Sequence, residues 1–124
     1  MIARSAPSFS HAAHFSADPA VAKMLKSAFA IRDDWKKATD EAARLRAEQQ
    51  ELERATEETR DNLKAIEKNK AAEDLRKTLT ARLSKASARL DEVTKRLIQV
   101  NMQSKELELR FREASKQVRI AVRK

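Results

Sequence analysis

The chain contains no cysteine, no glycine and no tyrosine, and only two of its 124 residues are proline. Without cysteine it can form no disulfide and no thiolate metal site, and catalysis by a thiol is excluded. Without glycine, tight turns and the loops that wrap phosphate groups are difficult to build. Aromatic residues make up 4% of the chain, too few to fill a thick globular core. This composition favours long helices with a narrow apolar face.

Apolar and small residues recur at alternating steps of three and four along two stretches of the chain. The first stretch places on one helix face Val21, Met24, Ala28, Ile31, Trp35, Ala38, Ala42, Leu45, Gln49, Leu52, Thr56, Thr59, Leu63 and Ile66. The second stretch does the same with Leu79, Leu83, Ala86, Leu90, Val93, Leu97, Val100, Ser104, Leu107, Phe111, Ala114, Val118 and Ala121. This heptad spacing is the pattern of a coiled coil, and we call each face a seam.

Local signals place the ends of the two helices. Asp18 can cap a helix that begins at Pro19, since proline at the first helical position loses no hydrogen bond. Between the seams, Asn69 is the residue best suited to a left-handed turn conformation. Glu73 and Asp74 follow, and because carboxylates interact favourably with the positive end of a helix dipole, they indicate the first turn of a second helix.

These signals divide the chain into five segments. We expect a disordered leader over 1–17, a first helix over 18–67, a turn over 68–72, a second helix over 73–117 and a basic tail over 118–124. The predicted fold is all-α, an antiparallel two-helix coiled-coil hairpin. An alternative remains for the C-terminal end, because apolar and polar residues alternate there with the period of short strands.

In an antiparallel hairpin, the residue numbers of two seam positions that face each other have a constant sum, and here that sum is 142. Leu52 then faces Leu90, and each a position of one helix faces a d position of the other. The flanking g positions carry opposite charges, which favours the same register. They are Asp34, Glu41 and Glu48 on the first helix and Arg82, Arg89, Arg96 and Arg110 on the second.

The positive charge of the chain lies in its second half. Residues 1–66 contain 11 Lys and Arg against 11 Asp and Glu, whereas residues 67–124 contain 16 against 8. A basic helix attracts nucleic acid, anionic lipid or an acidic protein, and the charge alone does not choose among them. The candidate anion-binding residues are Arg82, Lys85, Arg89, Lys95 and Arg96.

Several large apolar residues lie off the seams and predict a second apolar surface near the end away from the turn. They are Leu25, Phe29, Ile98, Met102 and Leu109. Because a hairpin with alanine-rich layers buries little area, we expect it to associate with a protein partner or with a second copy as a homodimer. The function that we predict is that of a non-enzymatic interaction or structural module.

No constellation of catalytic residues is present in the sequence. His11 and His14 have the spacing of metal ligands on a helix, but they lie in the predicted leader with no carboxylate cluster beside them. We therefore expect no catalytic residue, no cofactor and no metal. No run of 18 apolar residues occurs, so we also expect no membrane span.

The segment 60–69, which reads RDNLKAIEKN, is followed by Leu75, Arg76 and Leu79. It resembles the C-terminal coiled-coil region of bacterial mucoidy-inhibitor-A-like proteins, in which an R-x-N-L-x-A phrase ends one helix and L-R-x-x-L begins the next. The resemblance covers about 38–112. It implies a detached tail of a larger envelope-associated protein whose signal peptide and β-rich domain precede this region. If the chain is not part of such an envelope protein, we expect a cytoplasmic location by default.

Two further hypotheses compete with an interaction module. The basic second helix is similar to the tRNA-binding helical arm of seryl-tRNA synthetases, which would make the chain a nucleic-acid-binding hairpin. Its all-helical, basic character is also similar to that of the hairpins of flagellar export, which would make it a secretion-apparatus stalk protein.

Overall fold

The computed structural model describes residues 18–123 and has two long helices, with no strand among those residues. Helix α1 spans Pro19–Ile66 and helix α2 spans Glu73–Arg123, with a single turn of 3-10 helix at Lys70–Ala72 between them. The two helices pack against each other, which confirms the predicted all-α helical hairpin. The predicted leader over 1–17, with His11 and His14, lies outside the described residues.

The start of α1 follows the capping pattern predicted from the sequence. One carboxylate oxygen of Asp18 accepts hydrogen bonds from the amide nitrogens of Ala20 at 2.9 Å and Val21 at 3.4 Å. The carbonyl oxygen of Asp18 accepts from the amide of Ala22 at 2.9 Å. Asp18 therefore satisfies amides that the first turn of a helix leaves without a partner.

The turn between the helices is made without any left-handed residue, so the conformation predicted for Asn69 is wrong. Its φ is −93° and its ψ is 105°, which is extended backbone. Its side-chain oxygen accepts a hydrogen bond from the amide of Ala71 at 3.0 Å and so caps the 3-10 turn. Asparagine serves here as an N-cap, which relieves a chain without glycine of the need for positive φ.

The C-terminal end of the described chain is helical. Helix α2 continues to Arg123, so the prediction that it ends at 117, with a basic tail after it, is wrong for 118–123. The alternative of short strands is also wrong. Val118 and Ala121 remain half-buried at the helical spacing, whereas Ile120 and Val122 are exposed. Continued packing of the seam outweighs the local alternation of residue types.

The chain divides into two compact units, which we call the turn unit, Thr39–Met102, and the terminal unit, 18–38 with 103–123. In the turn unit, the seam centres on Val93 and Val100, whose exposed fraction is 0%. Thr56 is 3% exposed, and its hydroxyl donates to the carbonyl oxygen of Glu53 at 2.9 Å. The buried polar residue of this seam is thus satisfied within its own helix.

The terminal unit has its own seam. Val21, Ala28 and Leu107 are buried there. The rings of Trp35 and Phe111 stack in a tilted arrangement, with centroids 5.9 Å apart and planes 37° apart. Both side chains are half-buried, so the one tryptophan of the chain packs within the hairpin.

Burial follows both predicted seams closely, since every seam position is buried or half-buried. Side-chain contacts join α1 to α2 in the turn unit, among them the hydrogen bond from Gln49 Nε2 to Thr94 Oγ1 at 3.2 Å and the ion pairs of Glu41 with Arg96 and of Glu48 with Arg89. Glu48 lies seven residues after Glu41 in α1, whereas its partner Arg89 lies seven residues before Arg96 in α2. The helices are therefore antiparallel.

Candidate interaction surface

An open groove lies in the terminal unit and takes side chains from both helices. Leu25 and Phe29 of α1 and Leu109 of α2 line it, and its volume is about 790 Å³. Phe29 is 53% exposed and Leu109 is 54% exposed, while Leu25 is half-buried. Large apolar side chains that remain half in water around one concavity are typical of a binding surface.

Seam residues form the inner part of this groove. Ala28 is buried, and Phe111 and Val118 are half-buried, and all three line the groove. Because alanine stands at position 28, this layer of the seam has little side-chain volume. Small seam residues flanked by larger exposed ones leave a depression that other apolar side chains can fill.

The α2 side of the groove carries mainly positive charge. Arg112, Lys116 and Arg119 line it and are exposed, against one acid, Glu113. The guanidinium of Arg112 pairs with Glu108 in the same helix at 3.0 Å. Among the described residues, Lys116 and Arg119 have no carboxylate partner. The groove therefore combines an apolar lining with a cationic border.

The structure brings together only part of the predicted apolar surface. Leu25, Phe29 and Leu109 meet at the groove, but Ile98 and Met102 belong to the turn unit. These two are one helical turn apart on α2, and Met102 is 69% exposed. They form a separate, smaller apolar pair.

The predicted anion-binding residues fall into two groups. Arg89 donates from Nε to Glu48 at 2.7 Å and from Nη2 at 2.9 Å, and Arg96 donates to Glu41 through the same two nitrogens at 3.1 Å each. Arg82, Lys85 and Lys95 are exposed and make no ion pair among the described residues. Only these three are available to an external anion without breaking a contact between the helices.

The Glu48 and Arg89 pair perturbs the titration of both groups. The hydrogen bonds from Arg89 hold the pKa of Glu48 below its usual value. The hydrogen bond to Glu48, with a further one to Glu92, raises the pKa of Arg89. Both directions follow from a hydrogen-bonded ion pair that favours the charged form of each partner.

Among residues 18–123, g positions of opposite charge meet across the helices at two places, Glu41 with Arg96 and Glu48 with Arg89. Arg110 pairs with Glu106 in its own helix at 2.7 Å, so the predicted contact between the helices at this position is absent. Facing g positions have numbers that add to 137, as in the pairs of Glu41 with Arg96 and Glu48 with Arg89. Arg82 therefore lies opposite Ala55, and Asp34 lies opposite Gln103. Opposite charge at g positions makes a contact only where both positions in a layer are charged.

Arg76 has a role that sequence reasoning missed. Its Nη2 lies 3.0 Å from the carbonyl oxygen of Ile66, 3.2 Å from that of Glu67 and 3.1 Å from that of Asn69. These carbonyls end α1 and form the turn, where a helix leaves acceptors without amide partners. One signal was available, because Arg76 occupies the a position seven residues before Leu83, where an apolar residue is expected.

Two further observations concern chemistry and membranes. No group of three or more His, Cys, Asp or Glu side chains in 18–123 is placed to hold a metal ion. Neither α1 nor α2, over the part of the chain described, contains a stretch both long and apolar enough to span a bilayer.

No protein-family model, curated protein or solved structure matches the chain significantly. Its class is therefore defined by the fold alone, as an all-α helical hairpin with an apolar, cation-bordered groove in one unit.

Proposed function

We propose that this chain is a non-enzymatic coiled-coil interaction module whose terminal unit binds a protein. The groove lined by Leu25, Phe29 and Leu109 carries this proposal. Leaving two large apolar side chains more than half exposed forgoes the free energy that their burial would contribute. A partner that covers Phe29 and Leu109 would recover that free energy.

The thinness of the seam also supports association. Four of its buried residues in the two units are alanine or threonine, namely Ala28, Ala38, Ala42 and Thr56. Such residues bury little apolar area, so a single hairpin has a small hydrophobic contribution to its stability. Binding of a partner to the folded hairpin adds stability by mass action.

Nucleic acid is the weaker candidate. Arg89 and Arg96 are held in two-point contacts with acids of α1. The remaining predicted residues, Arg82, Lys85 and Lys95, occupy different heptad positions, namely g, c and f. These positions lie on one side of α2, but they supply three unpaired cations spread over about 20 Å of the helix. A gel-shift titration with tRNA at low salt separates this function from protein binding, because phosphate contacts are most favourable there.

The test of the proposed function compares two matched double variants. Phe29→Ala with Leu109→Ala removes apolar groups from the groove, and Ile98→Ala with Met102→Ala removes similar groups elsewhere. Light scattering at micromolar concentration and affinity capture from an extract of the source cells are the measurements. We expect a complex that the first variant loses and the second retains. A wild-type chain that stays monomeric and captures nothing refutes the proposal.

We also propose, from the resemblance of 60–79 to mucoidy-inhibitor-A-like proteins, that the module belongs to a larger envelope protein. Sequencing upstream of Met1 tests this directly. An in-frame β-rich domain with a signal peptide would support the proposal, whereas an in-frame stop codon immediately upstream would refute it.

A further inference from the structure

The groove of the terminal unit has the form of a site for a third helix. Leu25 and Phe29 contribute from one helix and Leu109 from the other, so a cylinder laid between α1 and α2 would contact both. Helices pack with axes about 8 to 10 Å apart, their side chains filling the grooves of their neighbours. The lining on α2 runs from Leu109 to Arg119, a rise of about 15 Å or about three helical turns.

The charge at the border restricts what can lie there. Lys116 and Arg119 have no anionic partner among the described residues, and Arg112 is 70% exposed although it contacts Glu108. Glu113, the one acid of the lining, accepts a hydrogen bond from Gln117 at 2.9 Å. An occupant that carries carboxylates beside an apolar stripe would complement both features of the groove.

We propose that this groove binds an acidic amphipathic helix of a partner protein, an inference that rests on the proposed function. The apolar residues of that helix, spaced at i, i+3 or i+4 and i+7, contact Leu25, Phe29 and Leu109. Its flanking Asp or Glu side chains pair with Lys116 and Arg119. Chain and partner helix together form a three-helix arrangement at the terminal unit.

A second copy fits this groove less well. A two-fold contact brings the same patch of both copies together, so the two cationic borders would face each other. Like charges juxtaposed in an interface oppose association. A lipid bilayer also fits less well, because apolar side chains that bind membranes must enter the lipid, whereas these line a concavity.

The experiment measures binding of two fluorescent peptides of about 21 residues, long enough for helix formation. Both carry leucine at the a and d positions of their heptads. One has glutamate and the other lysine at the flanking positions. Fluorescence anisotropy is measured with the full chain, with Lys116→Glu plus Arg119→Glu, and with the matched control Lys85→Glu plus Lys95→Glu in the turn unit. Circular dichroism checks that each variant remains helical.

The acidic peptide is expected to bind the full chain at least about tenfold more tightly than the basic one, with the preference weakening as salt rises. The groove charge reversal should lose this preference or invert it, and the control should keep it within about twofold. Phe29→Ala plus Leu109→Ala should weaken the binding of the acidic peptide.

Other outcomes overturn the proposal in distinguishable ways. Equal binding of both peptides, or no binding of either, refutes an acidic helix as occupant. If the chain instead forms a dimer in sedimentation that Phe29→Ala plus Leu109→Ala abolishes, the occupant is a second copy and the proposed function stands. If the chain binds vesicles of phosphatidylserine and phosphatidylcholine but neither peptide, and captures no protein, both proposals fail.

Discussion

Replacing Arg76 with alanine should destabilise the hairpin by removing a cap from the end of α1. The Nη2 group of Arg76 contacts three carbonyl oxygens at 3.0 to 3.2 Å. It has two hydrogens, so it can make about two good bonds at one time. A hydrogen bond to a charged group contributes about 1.5 to 3 kcal/mol, and the lower value applies because the side chain is 32% exposed. We expect a loss of about 1.5 to 2 kcal/mol.

The assay is thermal and urea unfolding followed by circular dichroism. For a domain of this size a loss of 1.5 kcal/mol lowers the midpoint by about 6 °C or more. The matched control is Arg82→Ala, because Arg82 is an exposed arginine of the same helix with no hydrogen bond among the described residues. Both changes alter helix propensity equally, so the difference between them reports the side-chain contacts of Arg76, which are those to the carbonyls and the exposed ion pair with Glu73 at 3.5 Å.

Equal stability of the Arg76→Ala and Arg82→Ala variants would refute the reasoning. So would a full rescue by Arg76→Met, because methionine restores the apolar stem and not the donors. Arg76→Lys should recover part of the loss, since an ammonium group can donate to carbonyls but lacks the guanidinium geometry.

Three further predictions concern the turn unit. Val93→Ala should cost about 2 kcal/mol, because it removes two buried methyl groups and leaves a cavity, whereas Ile98→Ala at an exposed site should cost much less in the same urea titration. The pKa of Glu48 is lowered in the folded chain. Its pairing with Arg89 should therefore stabilise the hairpin fully at pH values above 4.5, the ordinary pKa of the group, and this stabilisation should be lost as the pH falls through the lowered pKa. The free energies of unfolding of the wild type and of Glu48→Gln should therefore converge as the pH falls, and a difference that stays constant with pH would contradict this. Leu52→Cys with Leu90→Cys should form an intramolecular disulfide on oxidation, detected by non-reducing electrophoresis, whereas Leu52→Cys with Leu79→Cys should not. The chain has no other cysteine to interfere.

The sequence by itself determined the two helices, their orientation and the residues of the seam. Helical periodicity is a local property that the chain repeats in every heptad, so a polar residue at a single seam position does not obscure it. Gln49 and Thr56 break the apolar pattern, and both lie in the seam with hydrogen bonds to nearby groups. The charge pattern likewise predicted the contacts of Glu41 and Glu48, because opposite signs faced each other in that register.

Only the tertiary structure decided which surface residues act together. Residue spacing in one helix does not say which side chains of the other lie beside it, so Leu109 joins Leu25 and Phe29 while Ile98 and Met102 do not. The role of Arg76 depends on where the turn places three carbonyl groups; its a position in the heptad marks it as an exception but does not show which groups it contacts. The helical end of α2 was also decided by the tertiary structure, since Val118 and Ala121 remain half-buried at the helical spacing in a segment whose local pattern is ambiguous.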